Sequence, residues 1–153
     1  MQLDPAVYAD FNELMEKEQE VAECTPVKAT HPLYILYTSG TTGTPKGIVR
    51  ETGGTIVGLN FCMENVFNVH RKTVHFAGSD IGWVVGHSFI VYGPLIRGAT
   101  SVFYEGKPVT PNCGAMWQRV EEYQVESLYM APTAVRVVKK EDYEGEWIKK
   151  YNV

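Results

Sequence analysis

Five hydroxyl side chains fall within seven positions, at Thr38, Ser39, Thr41, Thr42 and Thr44. Gly40 and Gly43 are interleaved with them, and Pro45, Lys46 and Gly47 close the run. Each hydroxyl can donate a hydrogen bond to an anionic oxygen. The two glycines open backbone angles that let successive N–H groups turn toward one anion. Lys46 adds a mobile positive charge, and Pro45 stiffens the turn just before it. A nucleotide polyphosphate suits this set of groups better than any other ligand. The common phosphate loop is excluded, because it requires Gly-Lys-Ser/Thr in succession at the mouth of a helix. Here Thr44 and Pro45 separate Gly43 from Lys46. No Gly-x-Gly-x-x-Gly run for a dinucleotide is present either. On spacing alone, a hydroxyl-rich surface turn with a solvated lysine stays open beside the phosphate loop.

The other residues with chemical potential are more dispersed. His87 has no Ser/Asp partner pattern around it, so a packed or hydrogen-bonded histidine is favoured over a catalytic one. His31, His70 and His75 read as structural or exposed. Asp80 is placed to cap the segment that follows it. Cys24, Cys62 and Cys113 are odd in number and widely spaced. They read as free thiols of a reducing compartment, not as a disulfide framework or zinc site.

The elements that must position these residues follow from the apolar pattern. Asp4-Pro5 reads as a helix cap and first-turn proline, predicting a helix to about Gln19. Leu33 to Tyr37 is a short apolar strand that empties into the loop, and Gly47 to Glu51 is a return strand. A helix follows Gly53-Gly54 to about Phe67, with Ile56, Leu59, Met63 and Phe67 at helical spacing. Strands are predicted at Thr73–Ala77, Thr100–Tyr104 and Glu126–Met130. Helices are predicted at Val84–Arg97, Ala115–Tyr123 and Thr133–Lys140. This alternation implies a parallel α/β core. Ligands of such sheets sit beyond the carboxyl ends of the strands. The loop after Tyr37 and the turns after Ala77 and Met130 are all expected at that edge.

Composition narrows the class. Hydrophobic residues make up 44% and charged residues 21%, the ordinary balance of a packed domain. The net charge is −4 with no basic run, which argues against nucleic acid or an anionic membrane as partner. No apolar stretch has the length to span a bilayer. The first ten residues carry no apolar signal core.

Four ordered stretches resemble the adenylate-forming superfamily, which includes acyl-CoA synthetases, luciferases and peptide-synthetase adenylation domains. The first is Tyr34-Ile35-Leu36-Tyr37-Thr38-Ser39-Gly40-Thr41-Thr42-Gly43-Thr44-Pro45-Lys46-Gly47. The second runs from Asp80-Ile81-Gly82-Trp83-Val84-Val85-Gly86-His87-Ser88-Phe89 to Tyr92-Gly93-Pro94-Leu95. The third is Tyr104-Glu105-Gly106-Lys107-Pro108, and the fourth is Tyr129 to Arg136. The last three resemble the short-chain acyl-CoA synthetases. Cys24-Thr25-Pro26-Val27 and His31 to Tyr37 look most like the propionyl-CoA synthetase branch. The resemblance covers about Phe11 to Asp142.

This resemblance implies roles. Thr38, Ser39, Gly40, Thr41, Thr42, Gly43 and Lys46 would hold the β- and γ-phosphates of ATP. Magnesium would bridge the phosphates while a short-chain carboxylate attacks the α-phosphorus. CoA would then displace AMP. Trp83 would gate the acyl pocket and the pantetheine tunnel, and Val84 and Val85 would line the alkyl tail. Acetate-specific relatives tend to carry threonine at the position of Val85, so valine fits the propionyl pattern. Val85 and Ala131 would border the CoA tunnel. Without the resemblance, Trp83 reads as a core or interface tryptophan, the valines as helix packing, and Pro132 as the start of a strand-to-helix turn.

The implied architecture is part of the parallel-sheet core of a large N-terminal domain. It comprises a lead-in (1–32), a phosphate-loop hairpin (33–51) and an alternating α/β segment (53–142). Adenine- and ribose-binding motifs, a metal-holding glutamate and a C-terminal domain with its lysine are not found. No catalytic set is complete, and no metal site is assigned. The chain is therefore expected to be a fragment, inactive alone, whose partner is the remainder of its own polypeptide. Propionate–CoA ligase is the first expectation. An acetyl-CoA synthetase fragment and a non-catalytic phosphate-binding module are the alternatives. Cytosol and mitochondrial matrix both fit.

Overall fold

The computed structural model describes residue 4, residues 7–40 and residues 43–153. Two sheets organise them. Strands β1 (Pro32–Thr38) and β2 (Lys46–Glu51) form an antiparallel hairpin, with Thr38 opposite Lys46 and Tyr34 opposite Arg50. Strands β3 (Val74–Gly78), β4 (Thr100–Val102) and β5 (Ser127–Met130) form a separate parallel sheet in the order β4-β3-β5.

The expected common edge therefore holds for two turns and not for the third. The turns after β3 and β5 lie at the carboxyl end of one sheet, whereas the loop after β1 is the tip of the hairpin. The reason is chain length. A short loop can join antiparallel neighbours, while parallel neighbours need a crossover of a dozen residues or more. The hairpin is joined to the rest by helix α2 (Thr52–Asn65), which starts directly after β2. The Thr52 hydroxyl donates to the His31 carbonyl at 2.8 Å and fixes that corner.

Helices cover both faces of the parallel sheet. On one face, Phe76 of β3 packs with Met116 and Val120 of α5 (Ala115–Glu122), flanked by Val102, Leu128 and Met130. On the other, His75 meets an aromatic cluster of Phe67, Phe89 and Tyr129, with Phe67 and Phe89 centroids 4.8 Å apart. Leu59 and Met63 of α2 are buried as the spacing predicts, but Ile56 is exposed.

Two helices differ from expectation. The first, α1, covers only Phe11–Met15, and its cap is Asp10, whose carboxylate accepts from the Asn12 and Glu13 backbone N–H groups. Pro5 lies outside the described residues. None of α1 is buried, so no packing offsets the cost of nucleating a longer helix. The second is the expected 84–97 helix. It is continuous but mixed: α3 (Val84–Gly86), a π-helix (His87–Tyr92) and α4 (Gly93–Arg97). The wide turn frees backbone carbonyls, and the Ser101 hydroxyl of β4 donates to the Ile90 carbonyl at 2.6 Å. The chain ends with α6 (Pro132–Glu141) and a 3₁₀ turn at Ile148–Lys150 that has no counterpart in the sequence expectation.

Candidate functional site

At the carboxyl ends of β3 and β5 the chain encloses a cleft of about 740 Å³. One wall is the turn after β3, including Ser79, Asp80 and Ile81. The start of the long helix contributes Trp83, Val84 and Val85, and the β5–α6 turn contributes Ala131 and Thr133. Residues 83–85 and Ala131 are far apart in sequence, yet they border one space.

Local chemistry builds that wall. The Asp80 carboxylate accepts from the Gly82 N–H at 2.7 Å, and its carbonyl accepts from the Trp83 N–H at 3.2 Å. Asp80 thus caps the turn ahead of the helix, as its position in sequence implied. Gly86 permits the helix to lie directly on this turn. A Cβ there would sit 2.4 Å from the Asp80 carbonyl oxygen and 2.4 Å from the Ile81 Cα. Trp83 is 70% exposed, so its indole stands at the cleft as a surface group and not as a core residue. Val84 is exposed and Val85 half-buried.

His87 is packed and hydrogen-bonded. Its Nδ1 lies 3.0 Å from the Trp83 carbonyl, which only accepts, so Nδ1 carries the proton. Its ring sits 5.3 Å from that of Tyr34 on the hairpin. Tyr34 also stacks on Tyr92, with centroids 5.8 Å apart and planes 8° from parallel.

The described residues of the hydroxyl-rich loop lie outside the cleft lining. Gly40 and Gly43 both adopt positive φ, at 51° and 81°. A Cβ on Gly40 would meet the Thr44 carbonyl oxygen at 2.3 Å, so the loop's path depends on glycine there. Thr38 and Ser39 precede the bend, and Lys46 opens β2. The Thr38 hydroxyl lies 3.5 Å from the Lys46 carbonyl. Lys46 is exposed and forms no ion pair among the described residues. Thr41 and Thr42 lie outside the described residues. None of the described residues of 38–46 lines the cleft.

Sequence reasoning missed part of the wall. Phe103 to Pro108, the loop after β4, borders the cleft and brings Glu105 and Lys107 to it. The available signal was Tyr104 to Pro108, a motif without an assigned role. Met116 of α5 also reaches the cleft from the core.

The remaining titratable groups lie elsewhere. His75 is fully buried, and its Nδ1 lies 3.0 Å from the Ser127 hydroxyl, which donates onward to the Phe67 carbonyl. Burial pulls its pKa below the ordinary value. Cys24 is exposed, Cys62 half-buried and Cys113 buried, and all three are free thiols. Among the described residues, no group of three or more His, Cys, Asp and Glu side chains could hold a metal ion. No described helix is long and apolar enough to cross a membrane.

Comparison with known proteins agrees with this architecture. The chain is 49% identical over 152 residues to bovine acyl-CoA synthetase short-chain family member 3, mitochondrial, covering 99% of this chain and 22% of the relative. It is 43% identical over 131 residues to acetyl-coenzyme A synthetase 1 of Candida glabrata, covering 86% of this chain and 19% of that protein. The chain thus spans about a fifth of the length of these curated relatives. Among solved structures, the crystal structure of Brucella canis acyl-CoA synthetase superposes with a TM-score of 0.76 at 25% identity, covering 91% of this chain and 24% of that one. The profile described as AMP-binding enzyme matches residues 2–152, and the chain belongs to that family.

Proposed function

We propose that this chain is the phosphate-loop and acyl-cleft segment of an AMP-forming short-chain acyl-CoA synthetase, acting within a longer polypeptide. The observation that carries the reading is the convergence of Trp83, Val84, Val85 and Ala131 on one cleft at the carboxyl edge of the parallel sheet. Family membership and the short-chain relatives support it.

In this reading a carboxylate oxygen attacks the α-phosphorus of ATP and pyrophosphate leaves, giving an acyl-adenylate. The CoA thiol then attacks the acyl carbon and AMP leaves. The carboxylate is already a competent nucleophile, so the protein mainly positions groups and neutralises charge. Thr38, Ser39, Gly40, Thr41, Thr42, Gly43 and Lys46 hold the β- and γ-phosphates. Trp83, Val84 and Val85 enclose the alkyl tail, and Val85 with Ala131 borders the path of the CoA thiol arm. Magnesium would neutralise phosphate charge when bound. The described residues offer it no carboxylate cluster.

Propionate is the proposed carboxylate, because Val85 leaves an apolar wall beside the tail. Acetate is the second reading, supported by the likeness to the yeast acetyl-coenzyme A synthetase. One methylene in an apolar pocket is worth only about 1–3 kcal/mol, so both acids are expected as substrates. The test is carboxylate-dependent release of AMP and pyrophosphate by the full-length protein. Release that does not depend on carboxylate and CoA would reject the ligase reading.

A further inference from the structure

Within this chain, the hairpin that carries the phosphate loop buries little of its surface. Every residue of β2 is exposed, and β1 buries none of its residues fully. Tyr34 is half-buried, and it makes the hairpin's ring contacts with the long helix. Its ring stacks on Tyr92 and meets His87. The His87 ring in turn donates its Nδ1 proton to the carbonyl of Trp83, the residue at the cleft. A continuous set of contacts therefore runs from the strand that feeds the phosphate loop to the cleft wall: Tyr34 to His87 at 5.3 Å, then His87 to the Trp83 carbonyl at 3.0 Å.

We propose that Tyr34 and His87 are positioning residues that tie the phosphate loop to the acyl cleft. They set where Trp83 stands when the loop is occupied by nucleotide. Neither touches the reacting atoms. The π-helical turn favours this role, because His87 and Tyr92 both lie within it and present their rings to the same tyrosine. Wide turns of this kind concentrate at functional sites. The inference rests on the ligase reading above, since it assigns meaning to both ends of the contact chain.

The test uses the full-length protein with ATP, CoA and propionate. Tyr34→Ala is expected to raise the KM for propionate about fivefold or more and to lower kcat. Tyr34→Phe retains the ring and is expected to stay within about twofold of the parent. His87→Phe keeps an aromatic ring against Tyr34 and removes the ring's hydrogen bond to the Trp83 carbonyl, while the backbone N–H of residue 87 still donates to that carbonyl at 3.1 Å. It is expected to raise the propionate KM about threefold or more while the ATP KM moves less than twofold. That split separates positioning of the cleft from general loss of stability. His87→Phe also decides the matter alone if Tyr34→Ala does not fold. An unchanged propionate KM in His87→Phe, or equal loss in Tyr34→Phe and Tyr34→Ala, would overturn the relay. A parent without ligase activity would overturn the ligase reading and the relay with it.

Discussion

At the residue scale, the groups proposed to act have simple chemistry and local placement. Lys46 is an exposed ammonium at the end of a loop bent by two positive-φ glycines. A hydrogen bond to a charged group is worth about 1.5–3 kcal/mol. Lys46→Ala in the full-length protein is therefore expected to lower kcat/KM for ATP by about 10- to 100-fold, read as carboxylate-dependent pyrophosphate release. An unchanged rate would remove Lys46 from the phosphate site. His75 supports a different expectation. Its folded pKa lies below its ordinary 6.5, because burial disfavours the charged ring. The unfolded chain therefore binds more protons than the folded chain as pH falls through about 6.5. His75 contributes stability above that pH and loses it on acidification. Urea midpoints between pH 7 and pH 5 are expected to fall, and His75→Gln is expected to flatten that dependence. The pairing of His75 with Ser127 was not legible in sequence, because the strands meet only in the folded register. Pattern reading left His75 as structural or exposed. The glycine and hydroxyl positions of the loop were legible, because turn chemistry is encoded within a few neighbouring residues.

At the element scale, the strands of the parallel sheet and the helices facing it were readable from apolar periodicity. What escaped was whatever depends on contacts between elements. The π-helical middle of the 84–97 helix has no signature in its own residues. It is held by a partner on β4, the Ser101 hydroxyl on the Ile90 carbonyl. Ser101→Ala removes that donor from the carbonyl of buried Ile90. We expect a stability loss of about 1–2 kcal/mol by chemical denaturation. No loss would show that the carbonyl is satisfied in some other way. The α1 boundary failed for the opposite reason. Local capping signals at Asp4-Pro5 were present, but the helix is capped by Asp10, covers only Phe11–Met15 and buries none of its residues. The hairpin's separation from the parallel sheet was also hidden, since a strand pattern alone does not name its neighbour.

At the scale of the whole molecule, the surface is too large for a compact domain. A folded monomer of 17.2 kDa is expected to expose about 7,800 Å². This chain exposes 11,563 Å². Large apolar side chains are among the exposed groups: Val57 and Phe61 on α2 and Leu95 on α4 are 71%, 62% and 67% exposed. Apolar surface of that kind marks an interface. In the proposed reading, the remainder of the same polypeptide covers it. Two expectations follow at this scale. The isolated 153 residues should bind a hydrophobic dye such as ANS, and they should form no propionyl-CoA from propionate, ATP and CoA. A robust rate from the isolated chain would show that the reaction needs nothing beyond these residues.

In the proposed enzyme the phosphate loop and the cleft work together, and Val85 walls the acyl pocket. Steady-state assay of the full-length protein with acetate, propionate and butyrate, beside its Val85→Thr variant, is the decisive measurement. We expect AMP and a CoA thioester as products, and propionate ahead of acetate in kcat/KM. Val85→Thr should lower the propionate-to-acetate ratio by about tenfold, the effect of about 1–3 kcal/mol in such a pocket. A parent that forms no thioester from any of the three acids, or a ratio that does not move in the variant, would contradict this reading.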